Sequence, residues 1–253
     1  MNTESEGIVL RQTKTVGGRT MITLFSERFG KISAGTSVSE RSKSRAALAL
    51  RPFCCGRYQL YSLRGSYSIT GTETVNSFMR LGDDLDRYLA ASYVLELTDA
   101  MIGEDSPQPA IYRLLKESLG MLEERKKAWD TIVIAYQIKC LDALGSGPDL
   151  SCCVRCGRDL SDPSGEEKLW FSVGDGGLIC DSCKASQELP QGLIFEVDTD
   201  IIRALSYTRS HPLSSLSRLA LEDRIAGQLR KMLSAYISFH LGIEGLKSEG
   251  LRI

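Results

Sequence analysis

Two Cys-x-x-Cys pairs, Cys153-Val-Arg-Cys156 and Cys180-Asp-Ser-Cys183, stand twenty-three residues apart. A two-residue spacer lets both thiolates of a pair turn onto one ion, and two pairs supply the tetrahedral four-sulfur set that zinc prefers. Gly157 follows the first pair and lets the backbone turn back beneath the sulfurs; Gly174-Asp-Gly-Gly177 offers a tight turn before the second. The expected site is therefore Cys153, Cys156, Cys180 and Cys183 around one structural Zn2+ per chain. Cys152 adjoins Cys153 but lacks the spacing with Cys156, so it is left out. A closed four-thiolate site has no open position for water and does no hydrolysis. The chain has only two histidines, His211 and His240, and no His-x-Glu or His-Glu-x-x-His pattern. His240 falls on the apolar face of a helical stretch and reads as a hydrogen-bonded core residue. Cys54, Cys55 and Cys140 read as small buried hydrophobes.

The second group with chemical potential is basic. Arg41-Ser-Lys43-Ser-Arg45 has no bulky apolar residue, and Arg11, Lys14, Arg19, Arg28, Lys31, Arg51 and Arg57 surround it in sequence. On a small barrel such a loop and the neighbouring strand faces track a phosphate backbone, with Phe29, Phe53, Tyr58 and Tyr61 as candidate stacking surfaces for bases. From residue 1 to 80 there are twelve Lys or Arg against five Asp or Glu, whereas the whole chain has a net charge of −1. A first third at +7 joined to an acidic remainder points to two domains with different partners, nucleic acid being that of the first. No P-loop, Gly-x-Gly-x-x-Gly or Gly-x-Ser-x-Gly motif is present, and no nucleophile, base and orienter can be assembled. The sequence gives no positive sign of an enzyme.

These residues need elements to hold them. Gly7–Leu10, Thr20–Phe25, Gly30–Ala34, Tyr58–Leu63 and Tyr67–Thr72 are short β-rich runs separated by Gly17-Gly18, Phe29-Gly30 and Arg64-Gly65. Met21, Thr23 and Phe25 alternate with Ile22 and Leu24, so both faces are bulky, which suits a small closed barrel better than an open sheet with a wet face. Helical spacing follows over 83–103, 109–125 and 129–144, and most clearly late in the chain through Leu221, Ile225, Leu229, Leu233, Tyr236 and Ile237. Residues 150–190, rich in Cys, Gly, Asp and Ser, have no such periodicity and need the metal to hold them. The expected organisation is a barrel over 1–80, a helical domain over 81–149 and 191–253, and an inserted metal module over 150–190.

A 253-residue chain with 42% hydrophobic and 25% charged residues is globular, which excludes a disordered or fibrous protein. Its longest apolar runs, Ala46–Leu50 and Ile132–Tyr136, are five residues each, against the roughly twenty a membrane helix needs. The N-terminal Met-Asn-Thr-Glu-Ser-Glu-Gly has neither a basic nor an apolar signal region. The expectation is a cytoplasmic protein with reduced thiols and no membrane partner.

The order of these parts resembles the RecO family of bacterial recombination mediators. The likeness runs through Gly7-Ile-Val-Leu10; through Met21-Ile-Thr-Leu-Phe-Ser-Glu27 with Phe29-Gly-Lys31; and through Arg41-Ser-Lys-Ser-Arg45 with Leu50-Arg-Pro-Phe53. It continues in Tyr88–Leu97 and is most specific where Leu144-Gly145 and Pro148-Asp-Leu150 lead into Cys153-x-x-Cys156-Gly157. Gly176-Gly177 with the second cysteine pair and Leu246-Lys-Ser248 complete it. One departure is Gly17-Gly18-Arg19, where the family tends to place acids before its second strand. The resemblance implies an α+β multidomain protein: an N-terminal OB-fold barrel and a helical domain carrying the four-cysteine zinc module. It implies binding of single- and double-stranded DNA, annealing of complementary strands and a nucleoid-associated location. It implies cooperation with RecR in helping RecA displace single-strand-binding protein. It also implies a helical-domain pocket for the acidic C-terminal tail of single-strand-binding protein, with Arg113, Lys116, Arg125 and Lys126 as its candidate cations. Two other readings compete: a zinc-ribbon transcription or RNA-binding factor, and a thiol-redox enzyme using the Cys-x-x-Cys pairs.

Overall fold

The computed structural model describes residues 2–38, 44–160, 168–185 and 193–248. The chain forms two compact units, residues 1–125 with 246–253, and residues 126–245. The change from strand to helix falls near residue 80, as the sequence pattern predicts, but the first compact unit continues through two further helices.

Five strands, β1 (Asn2–Lys14), β2 (Thr20–Ser26), β3 (Gly30–Thr36), β4 (Cys55–Leu63) and β5 (Ser66–Asn76), close into a barrel of order β1-β2-β3-β5-β4. β1 pairs antiparallel with both β2 and β4, and a bulge between Val9 and Arg11 bends it around the corner. Closure comes from a short parallel pairing of β3 with β5, Ala34 opposite Tyr67 and Gly35 opposite Ser68. Val9, Ile22, Leu24, Ile32, Tyr58, Leu60 and Ile69 fill the interior, and Leu50 plugs it from beyond the short helix α1 (Arg45–Ala49). This is an OB-like barrel.

Two helices lie beside the barrel in the same unit. Asp84 caps α2 (Leu85–Met101) by accepting from the Arg87 amide, and Pro109 opens α3 (Pro109–Glu124), where a missing N–H costs nothing. α3 is fixed to β1 by a small polar network: the Glu6 carboxylate accepts from Lys116 Nζ at 2.6 Å and from the Tyr112 hydroxyl at 3.0 Å. Residues 246–248 return to α2, where the Glu96 carboxylate accepts from the Lys247 and Ser248 amides and from the Ser248 hydroxyl.

The second unit is organised on α4 (Trp129–Ala143), in which every residue from Thr131 to Ile138 is buried. α5 (Asp181–Ala185) belongs to the cysteine region, while α6 (Thr199–Ser210) and α7 (Asp223–Leu241) pack on α4. Arg209 of α6 bridges Asp142 and the Pro148 carbonyl. A three-stranded sheet of β6 (Leu169–Ser172), β7 (Gly177–Cys180) and β8 (Ile194–Val197), with β6 central, completes the unit. Phe171 of β6 meets Tyr236 of α7 with ring centroids 5.8 Å apart. No helix among the described residues is long and apolar enough to cross a membrane.

Candidate metal centre and nucleic-acid interface

The first Cys-x-x-Cys turn sits against β7. The Asp149 amide donates to the Gly176 carbonyl, the Leu178 amide to Asp149 and the Val154 amide to Leu178. That close approach requires glycine at 177, because a Cβ there would lie 2.4 Å from the Asp149 carbonyl oxygen. The turn then doubles back, with the Gly157 amide donating to the Cys153 carbonyl and Gly157 at φ 75°. Cys180 ends β7 and Cys183 follows one turn into α5, so strand and helix deliver the second pair to the first.

The four sulfurs lie within 4.8 Å of one another. Sulfur ligands at about 2.3 Å from a tetrahedral ion stand about 3.8 Å apart, and Cys156 Sγ and Cys180 Sγ are separated by 3.8 Å. The set therefore fits a four-coordinate, thiophilic ion. Burial pushes the Cys153 thiol up, but the amides of Cys156, Cys180 and Arg155 aim at its sulfur and bring it down to about 6. Hydrogen bonds to the sulfurs of Cys180 and Cys156 push Cys183 up to about 12. Four sulfurs at this spacing do not all ionise without a cation among them. Cys152 stands outside the cluster and contacts Asp149, as the spacing argument requires.

The surroundings hold this arrangement rigid. Arg155, between the two ligands of the first turn, donates twice to Asp175, at 3.1 and 2.8 Å, and Ser172 donates to the same carboxylate. Trp170 donates to Asp181 and carries Lys184 over its ring at 4.4 Å, bracing α5 against β6. His240 differs from the sequence expectation. It sits at an exposed edge of α7, past the last buried residue Ile237, and donates from Nε2 to the Val173 carbonyl at 2.7 Å. It is satisfied by the turn between β6 and β7 and not by the core. Cys54, Cys55 and Cys140 are buried, as expected.

The basic residues fall into distinct groups. Arg11 and Lys31 converge on Asp99 of α2, at 3.3 Å each, and Lys31 also donates to the Asp99 carbonyl. Arg57 pairs with Glu73 at 3.5 Å with both side chains largely exposed, Arg19 reaches Ser68, and Arg28 lies over Phe29. Lys14 is exposed at the end of β1. Arg45 and Arg51 are exposed and line one cleft. Arg41 and Lys43 lie outside the described residues. Of the four cations assigned to tail binding, Arg113 is exposed on α3, whereas Lys116 is the partner of Glu6. Burial lowers the Arg125 guanidinium at the end of the first unit, and Lys126 is exposed at the start of the second.

Among the aromatic candidates, Tyr58 is a correction. It is fully buried in the barrel, with its hydroxyl donating to the Ala49 carbonyl at 2.6 Å, and has no face for a base. Tyr61 is 40% exposed, and Phe29 and Phe53 are half-buried. Sequence reasoning missed Tyr88, 45% exposed on α2 and edge-on to Phe53 at 5.7 Å. Its helical spacing looks like a core position, and only the exposure distinguishes it.

The family profile described as "Recombination protein O N terminal" matches residues 1–78, and "Recombination protein O C terminal" matches residues 82–250. The chain belongs to the RecO family. Curated relatives named DNA repair protein RecO include that of Alkaliphilus metalliredigens, 27% identical over 94% of this chain and 93% of the relative. That of Syntrophus aciditrophicus is 29% identical over 97% of this chain and 93% of the relative. That of Symbiobacterium thermophilum is 30% identical over 92% and 89%. The two RecO profiles meet at residues 78–82, where strand gives way to helix, and the four-cysteine cluster falls wholly within the C-terminal one.

Proposed function

We propose that this RecO-family chain is a non-enzymatic recombination mediator. Its barrel binds single- and double-stranded DNA and anneals complementary strands. With RecR it helps RecA onto DNA coated by single-strand-binding protein, whose acidic tail docks on the helical part of the chain. The observation that carries this reading is a closed OB-like barrel within the chain's first eighty residues, which hold twelve Lys or Arg against five Asp or Glu, in a family of DNA repair proteins. Two strands held with their charge screened meet faster than free strands, which is what annealing requires.

The four-cysteine cluster takes the structural part. Cys153, Cys156, Cys180 and Cys183 hold Zn2+, which supplies cross-linking of the turn to β7 and α5 and leaves no coordination position for chemistry. The test is fluorescence annealing of complementary oligonucleotides, followed by RecA loading on coated strands with and without RecR. Faster annealing and RecR-dependent loading are expected. A chain that binds RNA hairpins but neither anneals nor binds DNA is instead an RNA-binding factor. Nucleotide hydrolysis or nuclease turnover that copurifies with the chain would overturn the non-enzymatic reading.

A further inference from the structure

Beside the barrel, wholly within the first unit, lies a cleft of about 680 Å3, lined by residues from Arg45 to Cys54, from Thr72 to Gly82, and by Tyr88. That volume falls in the usual range for small-ligand sites, roughly 300–1,000 Å3. One part of its lining is apolar and partly open: Leu48 is 36%, Tyr88 45% and Met79 74% exposed. Another is polar, made by Thr72, Glu73 and Thr74 at the end of β5 and by Ser77. Arg45 and Arg51 stand in the lining, with no ion pair to any described residue.

The backbone is strained here as well. Phe53 and Phe78 both line the cleft with positive φ, 72° and 44°, in the left-handed region that bulky side chains avoid. Each is held there by its amide, Phe53 donating to the Val9 carbonyl and Phe78 to Asn76 Oδ1. Such strain persists only where the surroundings over-determine it, and it gathers at binding sites.

We infer that this cleft receives an unpaired nucleotide of single-stranded DNA, its base against Phe53 and Tyr88 and its flanking phosphates on Arg45 and Arg51. The inference rests on the DNA-binding reading above and adds the site. A nucleobase has flat apolar faces and a polar edge, matching one aromatic wall and one wall of hydroxyls and a carboxylate. Guanidinium forks suit phosphate oxygens. Glu73 keeps one carboxylate oxygen toward Arg57 at 3.5 Å and has a second that accepts from an exocyclic amino group such as that of cytosine; a carboxylate in the lining also disfavours an acidic peptide, the other occupant that two arginines would attract. A paired base is stacked inside its duplex and cannot enter, so the cleft favours single strands.

The test compares binding of a dye-labelled oligothymidylate with that of an abasic oligomer of equal length and charge, by wild type, Tyr88→Ala and Tyr88→Phe. The expected result is a roughly tenfold loss of oligothymidylate affinity in Tyr88→Ala, the share of one stacked base. The abasic oligomer should be unaffected, and Tyr88→Phe should retain most of the wild-type affinity. Independently of any variant, photocrosslinks from 5-iodouracil in the wild-type complex should map to residues 45–88. Unchanged thymidylate affinity in Tyr88→Ala, with crosslinks elsewhere, overturns the cleft and leaves the DNA reading standing. A wild type that binds neither oligomer overturns both. If Tyr88→Ala loses an acidic, Phe-ended peptide while keeping DNA, the cleft is a peptide dock and the inference fails.

Discussion

Glu6 shows how a single side chain in this protein does structural work through its charge. Burial pushes its carboxyl up, and the hydrogen bonds from Lys116 and then Tyr112 outweigh that, so it lies below its ordinary value of 4.5. Lys116 is raised in turn, chiefly by its bond to Glu6. A carboxylate lowered by folding stabilises the fold above its unfolded value, and that stability is lost as pH falls through the folded value. Glu6→Gln should therefore destabilise the first unit by about 1–2 kcal/mol at neutral pH, the usual scale of a partly exposed charged hydrogen bond. Chemical denaturation from pH 7 downward should show the gap between wild type and variant constant to about pH 5 and narrowing below 4.5. A gap that widens in acid would show that the carboxylate is not the stabilising form. Residues differ in how much of this is legible beforehand. The four cysteines could be read from spacing alone, because two-residue spacers leave few geometries. Glu6, Lys116 and Tyr112 are far apart in sequence and meet only because α3 lies beside β1, and no local pattern announces that meeting. Tyr58 opens a β-rich run and reads as a stacking surface, Tyr88 lies in a helical run and reads as a core position, and the fold turns the first inward and the second out.

At the scale of elements, the four-cysteine cluster ties together several short pieces. β6, β7 and β8 have four residues each, and α5 has five. Pieces this short do not stand alone in water. Cross-linking by a structural ion supplies on the order of 10 kcal/mol of apparent folding free energy in small metal modules. Removing the ion with a chelator, or replacing Cys183 with Ser, should speed amide exchange across 149–185 while leaving β1–β5 protected. Metal analysis should give about one zinc per chain before chelation. Gly177→Ala should weaken metal retention without touching a ligand, because its Cβ collides with the Asp149 carbonyl and pries the first turn from β7. Retention equal to wild type would mean the turn is set by the sulfurs alone. The elements legible in the sequence are those with strong local signals. The five barrel strands are β-rich runs set off by glycine turns, and α2, α3, α4 and α7 have helical apolar spacing with Asp, Pro or Gly near their ends. α6 carries Thr, Ser and Tyr among its apolar residues, and α1 and β8 are too short for a period, so none of the three stood out. Closure of the barrel rests on two residue pairs between β3 and β5 thirty-three residues apart, which no window of sequence contains.

For the molecule as a whole, the charge division takes a different form in three dimensions. The first eighty residues have twelve bases and five acids, but residues 81–125 of the same unit bring ten acids and four bases. Part of the positive charge of residues 1–80 is therefore neutralised within the unit: Asp99 takes Arg11 and Lys31 of the barrel, and Glu123 takes Arg80 just beyond it. Not every arginine on the barrel is then equally available to a phosphate. The Lys31 and Asp99 side chains are only 15% and 20% exposed, so their pairing is structural, whereas Arg45 and Arg51 have no such partner among the described residues. The double variants Arg11→Ala/Lys31→Ala and Arg45→Ala/Arg51→Ala remove the same formal charge and should behave differently. The first strands a shielded carboxylate and should cost about 1–3 kcal/mol of stability, with little change in how DNA affinity depends on salt. The second should leave stability nearly intact and reduce the slope of log affinity against log salt by about 1.4, at roughly 0.7 per phosphate contact on single strands. Adding Arg41→Ala and Lys43→Ala should reduce it by about as much again, and should weaken all sequences alike, because phosphate contacts position without specifying. Binding of the single-strand-binding protein tail should survive all of these variants, since its candidate cations lie on other residues. Measured slopes that shrink equally in the two double variants would mean that Asp99 releases its partners to DNA. Arg11 and Lys31 would then belong to the binding surface as fully as Arg45 and Arg51, and α2 would have to let go of the barrel when DNA arrives.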